Sequence, residues 1–448
     1  MTIQEWKDRN RYAKRYAHFD KRVSLEKVWN YISVSENIIK HSFYPFIHYT
    51  QKFNKYSNGQ MKEKKRELCY SAHIDRYIYS YYGYLINEKY NQMAIKEGIN
   101  DVAIAYRTNL GLNNINFAKR AIDKIRESEN CYIIVGDFTS FFDNLDHTYL
   151  KSMLCSILET EKLSDDFYAV FKNITQYATW QLEDILNYYG LKNNIFGIRK
   201  LNKKDVIFTT EEFRKLKKEN KMCAKKNPNQ FGIPQGSAIS AVLSNVYMVE
   251  ADKAISKFVN KFDGLYMRYS DDMIIVLPEL TEDVFIESYK KIIAILKSIP
   301  KLELQKEKTQ IYYYYEEKLS NCNKIICDSM VNGNNKINYL GFSFDGKEVT
   351  IRDKTITKYY YRMYRKLKHI VRNNGVTKKG KRISPKNVYI KYSIKGANVK
   401  KDGNKGNFIT YVKRAEKIWG NEPIGRSTKR HMLKIRRELD KVKIQNID

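Results

Sequence analysis

The chain has 448 residues, 81 Lys and Arg against 50 Asp and Glu, a formal net charge of +31, and 43% hydrophobic and 13% aromatic residues. A single core stops growing near ~250 residues, so two or three subdomains are expected; with 7 Pro and 20 Gly the composition excludes a largely disordered or collagen-like chain. The cationic excess suits an extended polyanion such as nucleic acid, and the 36 tyrosines can stack on bases, although charge alone does not separate this from a solvated basic surface.

Residues 1–60 read as basic, aromatic helices. Residues 61–130 read as strand pieces around KKRELCYSAHIDRYIYSYYGYL followed by helices ending in FAKRAIDKI. The N-terminus is charged from residue 5 and lacks an apolar signal region, and no run approaches ~18 apolar residues, so neither secretion nor membrane insertion is expected. The six cysteines, Cys69, Cys131, Cys155, Cys223, Cys322 and Cys327, form no CxxC pair and have no histidine at zinc-ligand spacing, which favours reduced, intracellular thiols.

CYIIVGDF is a short apolar, β-branched strand ending in Gly136-Asp137, and a helical stretch is expected over 148–188. Residues 187–230 are irregular and basic, as in a surface insertion. FGIPQGSAISAVLSNVYMVEADKAI then reads as a turn with Pro234 and Gly236 and a helix opened by Ser237 as N-cap, its core face carrying Ile239, Val242, Leu243 and Val246. LYMRY and MIIVL flank Ser270-Asp271-Asp272, which predicts a β-hairpin with the acids at its tip. A helix over Val284 to Leu296, a strand in KLELQKEKTQIYYYY and a second hairpin in INYLGFSFDGKEVTI follow. In TITKYYYRMYRKLKHIVRN, Ile356, Tyr360, Met363, Leu367 and Ile370 make a helical stripe. Lys358, Arg362, Arg365 and Lys368 lie off that stripe and either track a phosphate backbone or are simply solvated; the first is favoured because RSTKRHMLKIRREL repeats the arrangement.

Adjacent carboxylates repel, and burying them costs several kcal/mol unless something positive compensates. Asp271 and Asp272 therefore sit either on a solvated turn or around a cation. Asp137 also ends a strand, and two strand ends can lie side by side in one antiparallel sheet. Three carboxylates could then hold two Mg²⁺ ions ~3.5–4 Å apart, the arrangement for in-line phosphoryl transfer.

Over roughly residues 60–345, these motifs and their order resemble the fingers and palm of reverse transcriptases. Asp137 with Phe141-Phe142-Asp143-Asn144 resembles the first metal-binding motif of bacterial and group II intron-type enzymes. Phe231 to Ser237 resembles their nucleotide-binding turn, and Tyr269-Ser270-Asp271-Asp272 their second metal motif. LELQKEKT, Leu302 to Thr309, resembles the segment that follows, and Tyr339-Leu340-Gly341-Phe342 the primer grip. The resemblance implies an α+β right-hand polymerase: an N-terminal extension of the fingers (1–60), fingers (61–130), a palm whose antiparallel sheet packs on helices (131–345, with the insertion near 187–230), and a helical, basic thumb and RNA-binding region (346–448).

It also implies site roles. Asp137 and Asp271 ligate two Mg²⁺ ions, for which Mn²⁺ can substitute, with Asp272 in support and the backbone carbonyl of Phe138 as a further ligand. Phe142 closes off the sugar 2′ face, so the product is DNA, while Phe141 is core. Gln235 contacts the base–sugar region and Gly236 lets the backbone approach. Lys65, Arg66 and Arg76 are the candidate triphosphate cations. Lys308 lies where the family has a lysine beside the leaving pyrophosphate, a general acid, although Lys306 shares that surface.

After residue 350 there are seven acids, too scattered for an RNase H or integrase domain. Asn116-Phe-Ala-Lys-Arg lacks the histidine of the retron element, and no Val-Thr-Gly thumb signature is found. HSFYPFIHY (His41 to Tyr49) and SAHIDRYIYSYYGYL resemble defence-associated bacterial reverse transcriptases of the formerly unassigned groups, type 2 more than type 9 because no extra domain is visible. That implies a cytoplasmic bacterial enzyme with a noncoding RNA template, dNTPs, an RNA–DNA duplex product and no membrane partner. Untemplated or protein-primed DNA synthesis of the abortive-infection kind, and a catalytically silent RNA-binding scaffold, are the alternative readings.

Overall fold

Cys131 to Val135 is an apolar run because both faces of its strand are covered. In the computed structural model, which describes residues 1–57, 60–219, 224–326, 333–376, 380, 382–397 and 406–444, Asn130–Asp137 is the middle strand of a five-stranded sheet. Across the sheet the strands are Leu265–Tyr269, Asp272–Pro278, Asn130–Asp137, Gln310–Tyr315 and Lys318–Asn321, all antiparallel. Side chains alternate between faces. Tyr132, Ile134, Met273 and Ile275 pack with Val246, Ile255, Phe285 and Ile292 from helices on one side. Cys131, Ile133, Ile274 and Val276 pack on the other side with Ile122, with Phe342 and Phe344 of a three-stranded sheet, and with Trp419.

A second sheet lies N-terminal to this core. Phe46–Ser57 and Gln60–Tyr70 form an antiparallel ribbon of eleven residue pairs, and Ala178–Gln181 and Lys225–Lys226 extend it. Residues 46–57 are thus strand where the sequence predicts helix. Past the buried Phe46 and Ile47 the strand runs out along a largely exposed ribbon, so no sustained apolar period marks it. The ribbon leads into the long helix His73–Lys96, whose Ala72 cap has no side-chain acceptor. Asp20 supplies it from a distant loop, accepting from the His73 and Ile74 backbone N–H groups at 2.9 Å each.

Several expected elements shift. The helical stretch over 148–188 is divided into His147–Leu158, Asp165–Thr175, the Ala178–Gln181 strand and Leu182–Tyr188. The insertion carries helices Ile195–Leu201 and Thr210–Lys218 and a small core in which Phe208 and Trp180 meet Phe19. Ser237 is not a helix cap: the helix runs Ser240–Tyr247, and the Ser240 hydroxyl donates to the Pro234 carbonyl. The C-terminal stripe is a helix over Asp353–Arg372 with Tyr359, Met363, Leu367 and Ile370 buried.

Among the described residues, Cys69, Cys131, Cys155 and Cys322 are free thiols, and burial pushes Cys69, Cys131 and Cys322 up to about 12. Cys223 and Cys327 lie outside the described residues. No helix of the described residues is long and apolar enough to cross a membrane.

Candidate active site

The acids meet because of strand register. Asp137 ends the central strand directly opposite Asp272, and Asp272 pairs with Tyr269 across a two-residue turn of Ser270 and Asp271. The Phe138 backbone N–H donates to the Asp271 carbonyl at 3.2 Å, and the Asp137 carbonyl accepts from Gln305 N–H at 2.8 Å. That second bond brings the 302–309 segment alongside, where Lys308 Nζ lies 2.5 Å from Asp137 Oδ2.

Desolvation, then repulsion from Asp271 and Asp137, pushes the Asp272 carboxyl up to about 6, even though the residue as a whole is exposed. Burial and the Asp137 charge raise Asp271 as well. As the side chains stand, no group of three or more His, Cys, Asp or Glu among the described residues is arranged to hold a metal ion. The donors nevertheless suit a hard divalent cation. They are all carboxylate oxygens, and their shared repulsion, opposed here by the Lys308 ammonium, is what such an ion relieves.

The turn carrying Gln235 is laced to the segment that follows Asp137 and to the end of the ribbon. Ile233 N–H donates to the Phe142 carbonyl at 2.9 Å, Gly232 N–H to Leu145 at 2.8 Å, and Cys69 N–H to Gln235 at 2.8 Å. Gly236 has φ +109°, and a Cβ there would stand 2.4 Å from the Cys69 carbonyl oxygen. No other residue type permits that approach. Phe142 is half-buried in the short Phe141–Asp143 turn, while Phe141 and Phe138 are buried. A cavity of about 300 Å³ opens next to Gln235, walled by Cys69, Asp143, Tyr177 and Lys226.

The three candidate triphosphate cations do not converge. Lys65 and Arg66 are neighbours on an exposed strand and point to opposite faces, with Arg66 over the Phe53 ring at 5.4 Å. Arg76 lies over the Tyr77 ring at 4.0 Å, with Nε and Nη2 enclosed.

Tyr339 pairs with Phe342 across a Leu340-Gly341 turn whose φ angles are +45° and +95°, the positive pair that tight hairpins favour. Asn114 Nδ2 pins this turn, donating to the Leu340 carbonyl at 2.9 Å and to the Tyr411 hydroxyl at 3.1 Å. Tyr339 and Phe342 are buried, so the turn's backbone, not their rings, is what faces outward. Lys358, Arg362, Arg365 and Lys368 are exposed along one helix. Lys358 and Arg362 border a cleft with Tyr392 and Phe408, and Arg365 and Lys368 one with Tyr361 and Tyr364.

Sequence reasoning passes over Asn114, Tyr106, Asp252 and Arg268. Arg268 and Asp252 form a fully buried ion pair, and the Tyr106 hydroxyl lies 3.3 Å from Ser270 Oγ. One signal was available: Arg268 is a charge inside the otherwise apolar strand LYMRY.

A family profile for reverse transcriptases (RNA-dependent DNA polymerases) matches residues 84–344. Among solved structures, the chain is similar to apo telomerase from Candida tropicalis truncated from its C-terminal domain, at 12% identity and a TM-score of 0.41, over 74% of this chain and 61% of that one. For apo telomerase from Candida tropicalis the values are 12%, 0.40, 77% and 55%. For telomerase from Candida albicans in complex with a TWJ fragment of telomeric RNA they are 12%, 0.39, 93% and 68%. The chain thus spans about three-fifths of the length of the two Candida tropicalis structures. No curated protein matches.

Proposed function

The chain belongs to the reverse transcriptase family, with its α+β right-hand polymerase fold, and we propose that it is an RNA-directed DNA polymerase whose reaction centre is Asp137, Asp271 and Asp272. The observation that carries this reading is the strand register that sets Asp137 opposite Asp272 inside the matched region. In the reaction a primer 3′-oxygen bonds to the α-phosphorus of a dNTP, the α–β phosphoanhydride breaks, and pyrophosphate leaves.

Two Mg²⁺ ions, or Mn²⁺ in their place, held by the three aspartates and the Phe138 carbonyl, would lower the pKa of the primer hydroxyl and neutralise the leaving charge. Lys308, whose ammonium pairs with Asp137, gives a proton to the pyrophosphate. Gln235 and Gly236 hold the base and sugar, and Phe142 excludes a 2′-hydroxyl. One of Lys65 and Arg66, which point to opposite faces of the ribbon, meets the triphosphate, with Arg76 the alternative cation. The Leu340-Gly341 turn, between Tyr339 and Phe342, supports the primer, and Lys358, Arg362, Arg365 and Lys368 track the duplex backbone. Residues 1–60 act as an N-terminal extension of the fingers, 61–130 as fingers, 131–345 as palm and 346–448 as thumb and RNA-binding region.

For the biological setting we favour a bacterial, cytoplasmic antiphage enzyme of the type 2 kind that copies a dedicated noncoding RNA. The two segments that carry that resemblance are in contact, with His41 Nε2 2.8 Å from Asp75 Oδ1. The test incubates the purified protein and its co-purifying RNA with Mg²⁺ and dNTPs. RNA-complementary DNA from wild type and none from Asp271→Ala supports the reading, and equal product from both refutes it. Homopolymer made without RNA would indicate an untemplated transferase. Phage resistance unchanged in Asp137→Asn but lost with RNA binding would indicate a scaffold.

A further inference from the structure

Arg268 and Asp252 are both fully buried. Removing two charges from water is costly, and a buried pair is commonly no more stabilising than apolar residues of the same volume. Its place beneath the acid-bearing turn therefore calls for a reason other than stability.

The hydrogen bonds supply one. Arg268 Nη2 and Nε donate to Asp252 Oδ2 and Oδ1 at 2.6 and 3.0 Å, a two-pronged contact that fixes the guanidinium plane. The Tyr266 hydroxyl donates to the same Asp252 Oδ1 at 2.9 Å. The remaining nitrogen, Nη1, donates to the Ser270 carbonyl at 3.0 Å and to Asn245 Oδ1 at 3.3 Å. Asn245 in turn donates to the Ala105 carbonyl at 3.0 Å.

Ser270 has φ +61°, in the first position of a two-residue hairpin turn where glycine is the usual occupant. A serine held in this strained conformation at a functional turn needs surroundings that over-determine it. Its carbonyl belongs to the peptide that leads into Asp271, and the Asp271 carbonyl accepts from Phe138 N–H, next to Asp137.

We infer that Arg268, oriented by Asp252 and Asn245, is a positioning residue that acts through the Ser270 carbonyl to hold the Asp271 backbone against the end of the Asp137 strand, so that an arriving cation has only the carboxylate side chains left to gather. The inference rests on the polymerase reading above for its role in the reaction, but the geometry it asserts is testable without turnover.

The experiment compares the full-length wild type with Arg268→Lys and with the double variant Arg268→Met/Asp252→Leu, which leaves no orphaned charge. Four quantities are measured: thermal melting, primer–template binding by fluorescence anisotropy without divalent ions, Mn²⁺ binding by electron paramagnetic resonance, and primer extension against Mg²⁺ concentration. The double variant is expected to melt near wild type and to bind primer–template within about two-fold, yet to bind Mn²⁺ about 10-fold more weakly. Its extension should be about 100-fold slower and partly restored by added Mg²⁺. Arg268→Lys keeps the charge but cannot span Asp252 and Ser270 together, and is expected to weaken Mn²⁺ binding by several-fold.

Unchanged Mn²⁺ affinity in either folded variant overturns the inference, as does a parallel loss of melting temperature and primer–template binding. If the double variant does not fold, Arg268→Lys decides by the same criterion. A wild type that binds Mn²⁺ through Asp271 but extends no primer refutes the polymerase reading, while the Mn²⁺ comparison still tests Arg268.

Discussion

Gly236→Ala is a sharp perturbation because the structure specifies what the new methyl group meets. The Cβ would lie 2.4 Å from the Cys69 carbonyl oxygen, and ordinary contact begins at 3.4 Å, so the turn and the ribbon must part by about 1 Å. That separation breaks the 2.8 Å bond from Cys69 N–H to the Gln235 carbonyl, a loss of about 1 kcal/mol. An alanine at φ +109° adds roughly 1–3 kcal/mol of backbone strain. The total is about 2–4 kcal/mol, concentrated at Gln235. A 1 Å displacement of a substrate-positioning group costs on the order of 10²-fold in rate. Gly98→Ala is the control, since Gly98 has φ +67° with nothing within 4 Å of its Cβ position and so carries a backbone term alone. Thermal melting and steady-state primer extension should show Gly236→Ala melting below Gly98→Ala, with kcat/KM for dNTP reduced about 100-fold. Equal melting and equal kcat/KM in the two variants would refute the close-approach argument.

Phe142→Val should relax discrimination against ribonucleotides by about 10–100-fold, read by direct competition of dGTP with GTP; unchanged discrimination removes Phe142 from the sugar gate. Asp20→Ala should cost about 1–2 kcal/mol, measured by thermal melting, because two N–H groups of the long helix lose their acceptor; Asp20→Asn should cost less. Burial, aided by His73, pushes His18 down to about 3 from 6.5, so between these values the unfolded chain binds the extra proton. This contribution to stability is complete above pH 6.5 and is lost as pH falls toward about 3, at up to ~1.4 kcal/mol per pH unit; melting of His18→Phe should follow acid less steeply than wild type. RNA binding should weaken steeply with salt, and neutralising Lys358, Arg362, Arg365 and Lys368 together should reduce the slope by up to ~0.9 for each phosphate that these cations engage; an unchanged slope would place the phosphate-binding surface elsewhere.

Legibility in the sequence followed the range of the signal. The Cys131–Asp137 strand, the hairpin bearing Asp271 and Asp272, and the Met363–Leu367–Ile370 stripe are written in periodicities a few residues long. The Phe46–Ser57 strand is not, because an exposed ribbon carries no apolar alternation. The long helix hides its cap, because Asp20 lies 53 residues from His73. Ser237 has the right chemistry for a helix start, but the Pro234 turn takes Ser240 as its partner and delays the helix.

By itself the sequence determined which residues are candidates for the chemistry and their order along the chain, since short-range pattern and motif spacing are properties of covalent neighbours. Tertiary structure alone decided that Asp137 stands opposite Asp272, that Gly236 must remain bare against Cys69, and that a buried arginine holds the acid turn. Each depends on strand register or on side chains packed from remote segments, and the distances that set repulsion, contact and hydrogen bonding exist only once those segments have met.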